Sequence, residues 1–146
     1  MSFSTAFTAD RTPDEVYAAV LDVPSWWTGS VTGATDVVGE SFTYRYEDKH
    51  RSVHEVTELV PGERVVWHTT DADLPFAEDP REWIGTDVVF EIAPVAGGTR
   101  LTFTHVGLEP ALDCFSACSG AWTSLVGASL RDRVLDGAAH VPATVL

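Results

Sequence analysis

SFTYRYEDKHRSVH, residues Ser41 to His54, opens with six residues, Ser41 to Tyr46, that alternate without a break. Phe42, Tyr44 and Tyr46 fall on one side and Ser41, Thr43 and Arg45 on the other, the period of two of a strand with one buried face. If Glu47-Asp48-Lys49 is a three-residue hairpin loop, Tyr46 opposes His50, Tyr44 opposes Ser52 and Phe42 opposes His54. All six then share an inner face that is aromatic on one strand and polar on the other. A slip of one residue would turn the whole set outward.

The same reading extends along the chain in both directions. A turn at Val60-Pro61-Gly62-Glu63 pairs Leu59 with Arg64, hence Val56 with Trp67 and His54 with Thr69, and points Trp67 inward. A turn around Ala96-Gly97-Gly98 sets Ile92 opposite Phe103 and Phe90 opposite His105, on one face with Val88 and Leu101. Towards the N-terminus, Phe3, Thr5 and Phe7 share a face of a first strand. Thr12-Pro13-Asp14-Glu15 then supplies an N-cap, a proline at the first helical position and a capping-box glutamate, so a helix is expected from Pro13 with Val16 and Val20 buried. Pro24 interrupts it before a second short turn bearing Trp26 and Trp27. Adjacent helical residues point about 100° apart and cannot share a face, so one tryptophan is expected in the core and the other, Trp27, at the mouth of a cavity. From Ala111 to about Leu135 the spacing of Phe115, Cys118, Trp122, Leu125 or Val126, and Ser129 or Leu130 predicts a long helix laid on the sheet.

This order is α+β, and the 146 residues are expected to form one domain over 1–146. Nine Lys and Arg against 22 Asp and Glu give a net charge of −13, which argues against nucleic acid and anionic membrane surfaces as partners. Apolar runs fall short of a membrane span and the first residues read as a strand rather than a signal peptide, so a cytoplasmic protein is expected. Cys114 and Cys118 would be neighbours on one helix face, poorly placed for a disulfide, and are expected as free thiols. Neither metal ligands of convincing spacing nor a phosphate-binding, dinucleotide-binding or nucleophile-elbow motif is present, so no metal and no cofactor are expected.

Asp71 to Gly85 reads as a long loop, carrying Phe76 and Trp83 among acids. It is either a lid over a cavity or a solvated loop pinned by its aromatics. His50 and His68 are expected exposed or at strand ends, and His140 in the tail.

Thr12 to Tyr17 followed by the tryptophan pair, Val60 to Trp67, Gly98 to Leu108, and Gly120-Ala121-Trp122 together resemble the START-like SRPBCC superfamily over nearly the whole chain, and within it the branch named for the activator of heat-shock protein 90 ATPase, homologue 1-like. The resemblance implies a helix-grip fold: a curved antiparallel sheet of six or seven strands around a long C-terminal helix, two short helices after the first strand, and an internal cavity. It leaves function open among carriers, enzymes and co-chaperones.

The expected function is a binding or carrier protein for a small hydrophobic or aromatic molecule, as a monomer or homodimer. The expected cavity residues are Trp27, Tyr44, Tyr46, His54, Trp67, Trp83, Phe90, Phe103, His105, Phe115, Cys118 and Trp122. The alternatives are an enzyme of cyclase, dehydratase or hydrolase type using His54 or His105, and a co-chaperone-like interaction module.

Overall fold

Seven antiparallel strands form one curved sheet in the order β1-β7-β6-β5-β4-β3-β2. The computed structural model describes residues 2–27, 29–48, 50–75, 80–108 and 115–136. The strands are β1 (Ser2–Ala9), β2 (Ser30–Gly33), β3 (Ser41–Tyr46), β4 (His50–Val60), β5 (Arg64–Asp73), β6 (Asp87–Val95) and β7 (Gly98–Val106). Helix α1 (Pro13–Leu21) and a 3₁₀ turn (Val23–Ser25) follow β1; helix α2 (Phe115–Ser124), a π-helical segment (Leu125–Leu130) and α3 (Arg131–Asp136) run on as the C-terminal helix. None of these helices is long and apolar enough to cross a membrane.

Helix α1 starts as its sequence dictates. Thr12 Oγ1 accepts from the Glu15 N–H at 3.2 Å, and the Glu15 carboxylate accepts from the Thr12 N–H at 3.1 Å. That box satisfies donors which a helix start otherwise leaves bare. Val16, Ala19 and Val20 then enter the core.

The β3–β4 register is the expected one, with Phe42 opposite His54, Tyr44 opposite Ser52 and Tyr46 opposite His50. Two corrections apply elsewhere. At the β4–β5 turn Val60 pairs with Arg64 and Leu59 with Val65, one residue away from the expected Leu59–Arg64 pair. Thr57 is an extra residue on β4 that shifts the ladder back, so Val56 meets Trp67 and His54 meets Thr69 after all; Thr70 is a second extra residue, on β5. At the β6–β7 turn Phe90 pairs with Phe103 and Val88 with His105, two residues from the expected register. A shift of two keeps every side chain on its face, so His105 still points inward.

The stripe of the C-terminal helix resolves an alternative that periodicity leaves open. Leu125 and Val126 are both buried, as are Ser129 and Leu130. The wider π turn inserts an extra residue and moves the stripe round the helix by one position, so neighbours before and after it reach the core. Ala111 to Cys114 and the side chain of Phe115 lie outside the described residues. Cys118 is buried with its thiol free.

Candidate functional site

The tryptophan pair enters the interior from the 3₁₀ turn, and neither ring reaches the surface: Trp26 and Trp27 are both 0% exposed. The expectation of one ring at a cavity mouth is corrected on that point, and what separates them is hydrogen bonding. Trp26 Nε1 donates to the Val20 carbonyl at 3.3 Å, capping the end of α1, whereas Trp27 Nε1 has no partner. Trp27 lies face to face on Tyr44, ring centroids 3.8 Å apart at 12°, and parallel to Trp67 at 6.1 Å. Gly29 makes this approach possible. Its φ is +143°, and a Cβ there would sit 2.6 Å from the Arg45 carbonyl oxygen and 2.8 Å from the Tyr44 ring.

Three histidines project into the same interior from β4 and β7. His105 is held at both nitrogens. Trp122 Nε1 donates to its Nδ1 at 3.0 Å, so the neutral ring carries its proton on Nε2 and donates to Thr86 Oγ1 at 2.8 Å, and Thr86 donates in turn to the Trp83 carbonyl at 2.6 Å. This chain joins α2, β7 and the loop before β6. His54 is also engaged twice, by Ser52 Oγ at Nε2 (2.8 Å) and by Thr69 Oγ1 at Nδ1 (3.1 Å). His50 shares Ser52 Oγ through its own Nε2 at 2.7 Å, and its Nδ1 has no partner.

Burial disfavours the imidazolium form of all three. It holds His105 down at about 3. His50 is likewise held at about 3 by burial and then by repulsion from His105. His54 lies well below the ordinary value, by burial first and then through His50 and His105. The cluster is therefore neutral across the physiological range, and each ring has one N–H and one lone pair to place.

Four buried nitrogens among the described residues lack partners: Trp27 Nε1, His50 Nδ1, Trp67 Nε1 and Trp83 Nε1. Rings bearing two of them flank His50, with the Trp83 centroid at 4.9 Å and that of Trp27 at 6.0 Å. His50 also forms part of the wall of a pocket of about 160 Å³ beside the β3–β4 hairpin, together with Arg45, Glu47, Asp48, Arg51, Asp73 and Pro75.

Most of the residues expected around a cavity meet in one interior. Trp27, Tyr44, His54, Trp67, Trp83, Phe90, Phe103, His105, Cys118 and Trp122 are all buried. They pack ring on ring: Trp122 lies 5.1 Å from Trp27, 4.6 Å from Phe103 and 5.8 Å from Trp83. Tyr46 is only partly buried and packs on the rim of this core. His50, expected exposed or at a strand end, is at a strand end as the first residue of β4 but is only 1% exposed. Its signal was its place in the inward alternation with Ser52 and His54. His68 is half-buried and paired with Asp87 at 2.7 Å, and His140 lies outside the described residues. The loop after β5 starts at Leu74, three residues later than expected; Trp83 anchors it in the core, and Phe76 lies outside the described residues.

Comparison with solved structures agrees with this architecture. The solution structure of the Aha1 dimer from Colwellia psychrerythraea is similar at 24% identity and a TM-score of 0.76, over 94% of this chain and 98% of that one. DynU16, a protein in the dynemicin biosynthetic locus, is similar at 18% identity and a TM-score of 0.70 over 94% of this chain, which spans 48% of DynU16. CalU16 from Micromonospora echinospora is similar at 15% identity and a TM-score of 0.65, over 91% of this chain and 73% of that one. No curated protein sequence matches. The family described as Activator of Hsp90 ATPase homolog 1-like protein matches residues 10–134, most of the chain, and the protein belongs to that family.

Proposed function

We propose that the protein binds or carries a small hydrophobic or aromatic molecule bearing at least one hydrogen-bonding group, held between the sheet and the C-terminal helix. The observation that carries this reading is the group of unpartnered nitrogens on Trp27, His50 and Trp83 inside a mainly apolar, aromatic interior. A buried polar group without a partner costs about 1–3 kcal/mol, so a ligand that supplied partners would recover part of that energy on binding. Mostly apolar walls with a few placed polar groups are the usual make-up of a small-molecule site. One protein of similar fold, DynU16, lies in the dynemicin biosynthetic locus, which is compatible with such a role.

The anchors differ from those expected. His54 and His105 have both nitrogens engaged by the protein, which leaves neither free to act as a general base and gives the enzyme reading no support. The interaction-module reading wants a contiguous apolar face. The exposed large hydrophobics among the described residues are Val37, Val38, Val95 and Val106, and the last two sit at opposite ends of the β6–β7 ladder. Tryptophan fluorescence titration against aromatic and acyl compounds, with mass spectrometry of the purified protein for a retained molecule, tests the proposal. Saturable binding is expected; binding to none, with nothing retained, would overturn it.

A further inference from the structure

The hydrogen-bond inventory around His50 defines the kind of polar group the interior lacks. Ser52 Oγ lies within bonding distance of both His50 Nε2 (2.7 Å) and His54 Nε2 (2.8 Å), and it has one proton to give. With no other acceptor for that proton among the described residues, full bonding requires one imidazole to donate to Ser52 and the other to accept from it. The two rings must therefore hold opposite tautomers, and only two arrangements are possible.

In the first, His54 Nε2–H donates to Ser52, Ser52 donates to His50 Nε2, and Thr69 donates to His54 Nδ1. One group is left over, the His50 Nδ1–H. In the second, His50 Nε2–H donates to Ser52, Ser52 donates to His54 Nε2, and His54 Nδ1–H donates to Thr69. This leaves two groups over, the His50 Nδ1 lone pair and the Thr69 hydroxyl proton, since Thr69 Oγ1 bonds only His54 among the described residues. The first arrangement strands one polar group fewer and is preferred. His50 then presents an N–H, and the unpartnered indole nitrogens of Trp27 and Trp83 beside it are N–H donors by constitution. The unmet groups around His50 are all donors, and all are neutral.

We propose that this site takes the oxygen of a neutral carbonyl, as in a ketone, quinone or ester, attached to an apolar or aromatic body, with His50 Nδ1–H as the main donor and the Trp27 and Trp83 indoles beside it. The inference rests on the ligand-binding reading above and narrows it to a substrate class. A carboxylate is the weaker fit. It would leave water for a low-dielectric interior in which no described Lys or Arg is buried, past a pocket whose wall sets Glu47, Asp48 and Asp73 against Arg45 and an Arg51 already bonded to Asp71 at 2.7 Å. A donor-only group is a poor fit as well, because it needs the second arrangement.

The experiment uses four matched probes, ethylbenzene, acetophenone, phenol and benzoate, titrated into the 15N-labelled protein while the indole and imidazole resonances are followed by NMR. Acetophenone is expected to bind about tenfold more tightly than each of the others, the margin of one net hydrogen bond. It should shift the Trp27 or Trp83 indole N–H. The free protein should show His50 protonated at Nδ1 and His54 at Nε2, a readout that needs no ligand and no variant. In His50→Phe the margin over ethylbenzene should fall to about twofold while ethylbenzene still binds. Acetophenone no better than ethylbenzene, tighter phenol or benzoate, or His50 protonated at Nε2 would overturn the carbonyl assignment and leave the binding reading standing. Saturable binding of none of the four would overturn both.

Discussion

Trp122 donates its indole N–H to Nδ1 of His105 across 3.0 Å, tying the C-terminal helix to strand β7 and settling the histidine's tautomer. The bond makes His105 part of the frame, and its consequences can be measured.

Thr86→Val keeps the shape of the side chain and removes the hydroxyl that accepts from His105 and donates to the Trp83 carbonyl. It should lower stability by about 1–3 kcal/mol, the cost of stranding buried groups. Urea unfolding measures this; a loss within error of zero would mean the chain adds nothing.

Acid should destabilise the protein earlier than carboxylate chemistry alone would. His50 and His105 are held at about 3 when folded, against an ordinary 6.5, and His54 lies well below it. Between those limits the unfolded chain binds more protons, so stability is full above about pH 6.5 and falls as the pH drops towards 3, by up to about 1.4 kcal/mol per unit for each histidine. Chemical denaturation at pH 7, 6, 5 and 4 tests this, and a flat profile between 7 and 5 would contradict it.

Gly29→Ala should damage the Trp27–Tyr44 stack from the backbone side. A Cβ at φ +143° would press on the Arg45 carbonyl and the Tyr44 ring. A loss above about 1 kcal/mol is expected, with a changed near-ultraviolet circular dichroism spectrum. Native stability with an unchanged spectrum would show that the contact relaxes freely.

Cys118 is buried and free, so it should resist a thiol reagent in the native protein and react on unfolding. Two thiols are expected after denaturation without reductant; fewer, restored by reductant, would point to an oxidised pair with Cys114.

The parts of this fold that were legible in the sequence are those governed by local rules. The capping box at Thr12 and Glu15 and the period-two runs of β3, β4 and β7 depend on neighbours in the chain. Strand β2 escaped because Ser-Val-Thr-Gly holds a single large apolar residue and is recognisable only by its pairing with β3. The inward histidines at 54 and 105 followed from strand parity. Parity put His50 on the same face but did not show its full burial, since a residue next to a hairpin reads as exposed until Trp83, distant in sequence, packs against it. Which nitrogens go unpartnered is a property of contacts between elements, and alternation cannot carry it.

The extra residue at Thr70 acts on β5 as an inserted letter acts on a reading frame. Up to Thr69 the odd-numbered residues face the core, and beyond Thr70 the buried ones are Ala72 and Leu74. A deletion of that single threonine would leave a regular ladder in which Ala72 still meets Ser52 and Leu74 still faces inward, whereas pairing Thr70 into the ladder without the bulge would turn Asp71 and Asp73 inward, driving a pair of carboxylates among the tryptophans. The hairpin therefore tolerates loss of this exposed residue better than a register that absorbs it, and its tolerance for substitution of the threonine itself is wide.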